Sequence, residues 1–201
     1  MGQYWRLINI DKCEDLGHWG KLGEAFLNEY KLGGAIALLA GSWAGCCIMC
    51  IGDYATDCPP NVLTPEEAAE INPYDSDDSD DESTPTFYDF TCRFKEIRSG
   101  GSIGLRGMVL RNLTKHVYVR RDVVVEELAN EQYRGDIGTV FLTNICWSDD
   151  SSCAMGVDLS RGGWAGDRFD VVPLSSVEED KEEWEDVTED QVKLTRLALN
   201  C

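Results

Sequence analysis

Three short stretches of the 201-residue sequence set an aromatic ring beside a carboxylate: Asp53-Tyr54, Trp147-Ser148-Asp149-Asp150 and Trp164-Ala165-Gly166-Asp167-Arg168-Phe169-Asp170. The third also carries the guanidinium of Arg168. Rings that clamp a flat ligand, one carboxylate and one arginine make a workable set for cleaving a nucleoside N-glycosidic bond. Trp164, with Tyr54 or Trp147, would stack the base. Asp167 or Asp53 would stabilise the cationic sugar or orient water, and Arg168 would present positive charge to the departing base. The same residue types also suit a core tryptophan beside a structural Asp–Arg pair. The third stretch has an earlier echo at Trp43-Ala44-Gly45, where Cys46-Cys47 follow in place of an acid and an arginine. Both copies precede an apolar run, so each corner is expected at the start of a strand, where a rigid scaffold holds a loop.

Other chemistries find less support. Cys47 and Cys50 have zinc-like spacing, but no second Cys-x-x-Cys pair accompanies them, and His18 and His116 stand apart in sequence. Ile48, Met49 and Ile51 put these thiols in an apolar strand, so core filling is the expectation for Cys46, Cys47 and Cys50, ahead of metal or redox roles. Gly100-Gly101-Ser102-Ile103-Gly104 lacks the Lys-Ser or Lys-Thr of a phosphate-binding loop. Neither a metal nor a cofactor is expected.

The formal charge of −19 argues against nucleic-acid binding until its distribution is read. Residues 75–82 hold six acids and no base, and residues 178–190 hold nine acids with one lysine. Residues 93–121 hold eight cations against Glu96, so this segment is expected to meet the phosphates of a polynucleotide such as ribosomal RNA. The start, Met1-Gly2-Gln3-Tyr4-Trp5-Arg6, lacks a basic region leading into an apolar one, and no apolar run is long enough for a membrane span. Nine cysteines are then expected as reduced thiols in the cytoplasm.

The elements that must position these residues follow from pattern. Tyr4–Ile10 reads as a strand, Leu16–Gly20 as a turn, and 21–31 as a helix broken by Gly33-Gly34, with a short buried helix over 35–40. A strand over 47–51 follows the first corner. Thr64-Pro65-Glu66-Glu67 opens a helix with a capping box. Residues 72–86 read as a disordered acidic insertion. Phe87–Ile97 favours helix over strand, and 108–120 reads as a hairpin. Asp122 is expected to cap a short helix, and Ile137–Trp147 reads as the longest apolar strand. A strand follows the second corner, 178–190 reads as a surface helix, and Thr188 with Gln191 opens a last helix. Neighbouring strands without a helix between them predict one α+β domain over 1–201, a mixed sheet flanked by helices.

Several motifs run the length of the chain: Met1-Gly2-Gln3-Tyr4-Trp5, Asn9-Ile10-Asp11-Lys12, Leu16-Gly17-His18-Trp19-Gly20-Lys21-Leu22-Gly23-Glu24, Ile51-Gly52-Asp53-Tyr54-Ala55, Val109-Leu110-Arg111-Asn112-Leu113-Thr114, Ile145-Cys146-Trp147-Ser148 and Trp164-Ala165-Gly166-Asp167-Arg168-Phe169. In these the chain resembles a largely uncharacterised family common in fungi, with relatives in bacteria. In that family the first Trp-Ala-Gly is also usually followed by Asp-Arg. In size the chain is similar to cytotoxic mushroom proteins, among them ribosome-inactivating N-glycosylases that remove one adenine from large-subunit rRNA, although their catalytic residues have no matched positions here. The resemblance implies an rRNA or polynucleotide adenine N-glycosylase. The alternatives are a non-enzymatic interaction module with acidic docking surfaces, and a small-molecule nucleotide or nucleoside hydrolase.

Overall fold

The computed structural model describes residues 3–60, 62–71, 85–99, 104–129, 135–151, 157–179 and 183–199. The aromatic and β-branched start forms β1 (Trp5–Asn9), and the following Gly-punctuated stretch, expected as a turn, is a second strand, β2 (Glu14–Gly20). Its glycines serve the strand: Gly17 and Gly20 have φ of +78° and +76°, where a side chain would be strained. Helix α1 (Leu22–Leu27) leads to α2 (Glu29–Leu39), whose first turn is capped by the Asn28 side chain accepting from Lys31 N at 3.0 Å. Gly33-Gly34 does not break α2, contrary to its propensity. A Cβ at Gly34 would overlap the Ser99 side chain, so tertiary contact makes use of the missing side chain.

Strand β3 (Cys46–Gly52) is buried along its whole length. Helix α3 (Pro65–Ile71) starts as its capping box predicts, with Glu67 N donating to Thr64 Oγ1 and Thr64 N to Glu67 Oε2. The acidic insertion expected at 72–86 lies outside the described residues up to 84. The ambiguous stretch after it divides into helix α4 (Phe87–Thr91), capped by Thr86, and strand β4 (Lys95–Glu96). The hairpin appears as β5 (Met108–Asn112) and β6 (Val117–Arg120), followed by α5 (Arg121–Glu127), whose N-cap is Arg120 with Asp122 inside the first turn.

The apolar run expected as a strand is mostly a helix, α6 (Ile137–Ile145), and becomes strand only at β7 (Cys146–Trp147). Asp136 explains this start. Its carboxylate accepts from Ile137 N at 2.7 Å, and Asp136 N in turn donates to Thr139 Oγ1. All nine residues of α6 are buried, so hydrophobicity on every side could not distinguish it from a central strand. After the second corner come β8 (Arg168–Pro173), α7 (Ser175–Glu178), β9 (Glu185–Asp186) and α8 (Thr188–Leu199). The surface helix expected over 178–190 is therefore cut short, and β9 pairs with β6 instead. The hydroxyl of Thr188 accepts from Arg120 N at 2.9 Å, tying α8 to the hairpin, and the Gln191 side chain goes to Asn144.

The strands form one mixed sheet in the order β4-β2-β1-β3-β8-β5-β6-β9, confirming an α+β arrangement in a single sheet. Residues of β3 alternate between two apolar clusters, one per face. Cys46, Ile48 and Cys50 join the larger cluster, under α1, α2, α6 and α8, and Met49 and Ile51 join a smaller one with Ile8, Ile71, Phe87, Phe90 and Phe94. The sheet forks at β3. The first two residues of β3 pair antiparallel with β8, and Cys50-Ile51 pair parallel with β7. No helix among the described residues is long and apolar enough to cross a membrane.

Candidate active site

The parallel register of β3 and β7 sets Cys50 opposite Cys146 and Ile51 opposite Trp147. Continuing both strands by two residues brings Asp53 and Asp149 out of the sheet side by side. Crevices at the carboxyl ends of parallel strands are where α/β sheets commonly take ligands. Here a hollow of about 590 Å³ opens at that point, lined by Asp53, Tyr54, Thr56, Thr86, Asp149 and Asp150. The hollow is shallow and open to solvent, so it would seat one face of a nucleoside-sized ligand.

Each lining side chain has a local reason for its position. Asp53 is held by strand-like pairing with Tyr4: Asp53 N donates to Tyr4 O at 2.9 Å and Tyr4 N donates to Asp53 Oδ1 at 3.2 Å. The other Asp53 oxygen has no hydrogen-bond partner among the described residues. The Tyr54 ring is 46% exposed, which leaves a face for a ligand. Asp149 Oδ2 accepts from Thr56 N at 2.7 Å and from the Thr56 hydroxyl, while Oδ1 accepts from Arg161. Arg161 also pairs with Asp57 at 2.7 Å, and its guanidinium carbon lies 4.1 Å from the centre of the Trp147 ring. Trp147 donates its indole N–H to Asp57 O at 3.0 Å. Trp147 is thus covered by Arg161 and does not line the hollow, and Tyr54 is the available stacking ring.

The second Trp corner is assembled differently from the expectation. Trp164 is buried, 6% exposed, and its ring packs 6.2 Å from that of Phe169. Asp167 is also buried. It accepts from Asn112 Nδ2 at 2.7 Å and pairs with Lys115 at 3.3 Å. Arg168 points elsewhere, to Asp11 (Nη2–Oδ1, 3.1 Å) and the Gly45 carbonyl (2.9 Å), and the Asp11 hydrogen bond holds its pKa above the usual arginine value. The indole, acid and guanidinium therefore do not converge on a hollow, and no exposed ring is offered at 164. They join two copies of one turn. Gly45 and Gly166 both lie in the left-handed region (φ +76° and +82°), and Cys46 N and Asp167 N each bond back to the Trp carbonyl at 3.0 Å. Cys47 lies at this seam, donating to Gly166 O at 3.1 Å; burial, then nearby Asp11, pushes its thiol up to about 12.

Of the six residues singled out, Asp53 and Tyr54 line the cleft, whereas Trp147, Trp164, Asp167 and Arg168 do not. Arg161 was missed, although it lies directly before the Gly162-Gly163-Trp164 corner. Its contact with Trp147 comes through a bridge between residues 14 positions apart, which no local pattern announces. The basic stretch is largely neutralised within the protein. Arg93 pairs with Glu70, Arg111 with Asp170, Lys115 with Asp167, Arg120 with Asp122 and Arg121 with Asp136. Lys95, Arg98 and Arg106 have no ion pair among the described residues. No protein-family model, curated protein or solved structure matches the chain, so its function has to be read from its own geometry.

Proposed function

We propose that the protein hydrolyses the N-glycosidic bond of a nucleoside unit in the cleft of Asp53, Tyr54 and Asp149. The observation that carries this reading is the parallel β3/β7 pair, which delivers two carboxylates and an exposed aromatic ring to one nucleoside-sized hollow. Tyr54 stacks the base. Asp53, with an oxygen to spare, faces the sugar, where it stabilises positive charge at C1′ and orients the attacking water. Arg161 is a positioning residue that holds Asp149 and Trp147.

A base flipped out of a polynucleotide presents the same unit as a free nucleoside. Ribosomal RNA adenine thus remains a proposed substrate, with Lys95, Arg98 and Arg106 as the cations left for phosphates. The test has two arms: chromatography of free base released from nucleosides, and aniline cleavage of rRNA after incubation with ribosomes. Asp53→Asn should lower the rate on the order of a hundredfold or more, as loss of a charge-stabilising group does, and Arg168→Ala should leave it near wild type. Base release from neither substrate class by folded protein removes the proposal. Undiminished activity in Asp53→Asn moves the site elsewhere.

A further inference from the structure

We infer that this cleft prefers a nucleoside with a positive charge on its base, such as a pyridinium riboside, over the neutral adenine nucleoside considered above; this rests on the hydrolase reading. Three carboxylates, of Asp53, Asp149 and Asp150, line the cleft, and Asp149 shares the Arg161 guanidinium with Asp57, which lies outside it. Asp53 has no cationic partner among the described residues. Two exposed rings flank it: Tyr54 follows it in the chain, and Tyr4, 51% exposed, is its cross-strand neighbour. Open aromatic faces beside an uncompensated carboxylate suit an organic cation.

The chemistry points the same way. A neutral adenine departs readily only if a proton reaches it. Among the described residues lining the cleft there is no lysine or histidine, and Arg161 is engaged by two carboxylates. A pyridinium base needs no proton. When the bond from C1′ to the ring nitrogen breaks, its electron pair returns to that nitrogen and cancels the charge. The oxygen of water bonds to C1′ and gives up a proton through Asp53 to solvent. The products are free ribose, neutral base and one proton. The positive charge moves from base to sugar in the transition state, towards the carboxylate that faces it.

Calorimetry with N-methylnicotinamide, a cation, and nicotinamide, its neutral counterpart, tests this without catalysis. The cation should bind at least about tenfold more tightly, through charge attraction and ring contact. Its advantage should shrink as salt is raised and vanish in Asp53→Asn, and Tyr54→Leu should weaken it independently. Circular dichroism verifies that both variants fold. Equal binding of the two, or preference for the neutral one, overturns the inference. A hydrolysis arm compares the riboside of nicotinamide with adenosine. Faster release from the pyridinium riboside supports the inference, and equal or faster release from adenosine overturns it while leaving the hydrolase reading in place. Selective binding of the cation with no N-glycoside cleaved removes the hydrolase reading and retains a cation site.

Discussion

Replacing Trp164 by alanine separates a structural corner from a catalytic one. The side chain is 94% buried, against Phe169 and within the larger of the two apolar clusters. Removing a buried ring of this size costs about 3–5 kcal/mol, from lost transfer energy and the cavity left behind. For a chain of this length each kcal/mol lowers Tm by roughly 2–4 °C, so a fall of roughly 6–20 °C is expected. The backbone bond from Trp164 N to Asn144 O at 2.9 Å survives the change, so the turn itself should persist. The assay is thermal and urea unfolding by circular dichroism, beside Asp53→Asn, a near-isosteric change at a partly exposed position that should change Tm little. If Trp164→Ala stays within about 0.5 kcal/mol of wild type, the range of an inconsequential surface change, and yet abolishes substrate binding, the ring serves a ligand and the assignment to the core is wrong.

Three further outcomes follow from the same packing. Gly162→Ala puts a Cβ into the Asn144 carbonyl and 3.0 Å from Cys146 N, so it should destabilise by about 1–3 kcal/mol or more in urea unfolding, since backbone cannot yield as a flexible side chain can. Asp136→Ala removes the N-cap of α6 and the ion pair to Arg121 at 2.7 Å; a loss of about 1–2 kcal/mol is expected, with Asp136→Asn retaining part of the cap. The buried Cys47 thiol keeps its proton in the folded chain until about 12, while the unfolded chain gives it up from the ordinary 9.0. Its contribution to stability is thus whole below that ordinary value and falls by about 1.4 kcal/mol per pH unit as pH rises towards the folded value. Cys47→Ala should flatten this alkaline slope in pH-dependent unfolding, and an unchanged slope would refute the burial argument.

Local chemistry in the sequence determined a good part of this protein. Side-chain caps and alternation are interactions between residues a few positions apart, so Thr64 to Glu67 announced α3, the 108–120 pattern announced the hairpin, and the Trp-Ala-Gly echo announced two equivalent turns. Buried elements were decided by tertiary structure. Gly33-Gly34 stays helical within packed α2, where Ser99 occupies the space a side chain at Gly34 would fill, and α6 is a helix although its composition suits a central strand equally. The candidate site belongs to this second class. Asp53 and Tyr54 were visible as a ring beside an acid, but their partners, Asp149 and Arg161, reach them through the parallel pairing of β3 with β7 and one bridge from Trp147. By the same token Trp164, Asp167 and Arg168 are adjacent in sequence yet diverge in space, because each finds its best partner on a different strand or loop: Phe169, Asn112 and Asp11. Sequence adjacency supplies residue types, and only long-range strand pairing sets which of them share a hollow.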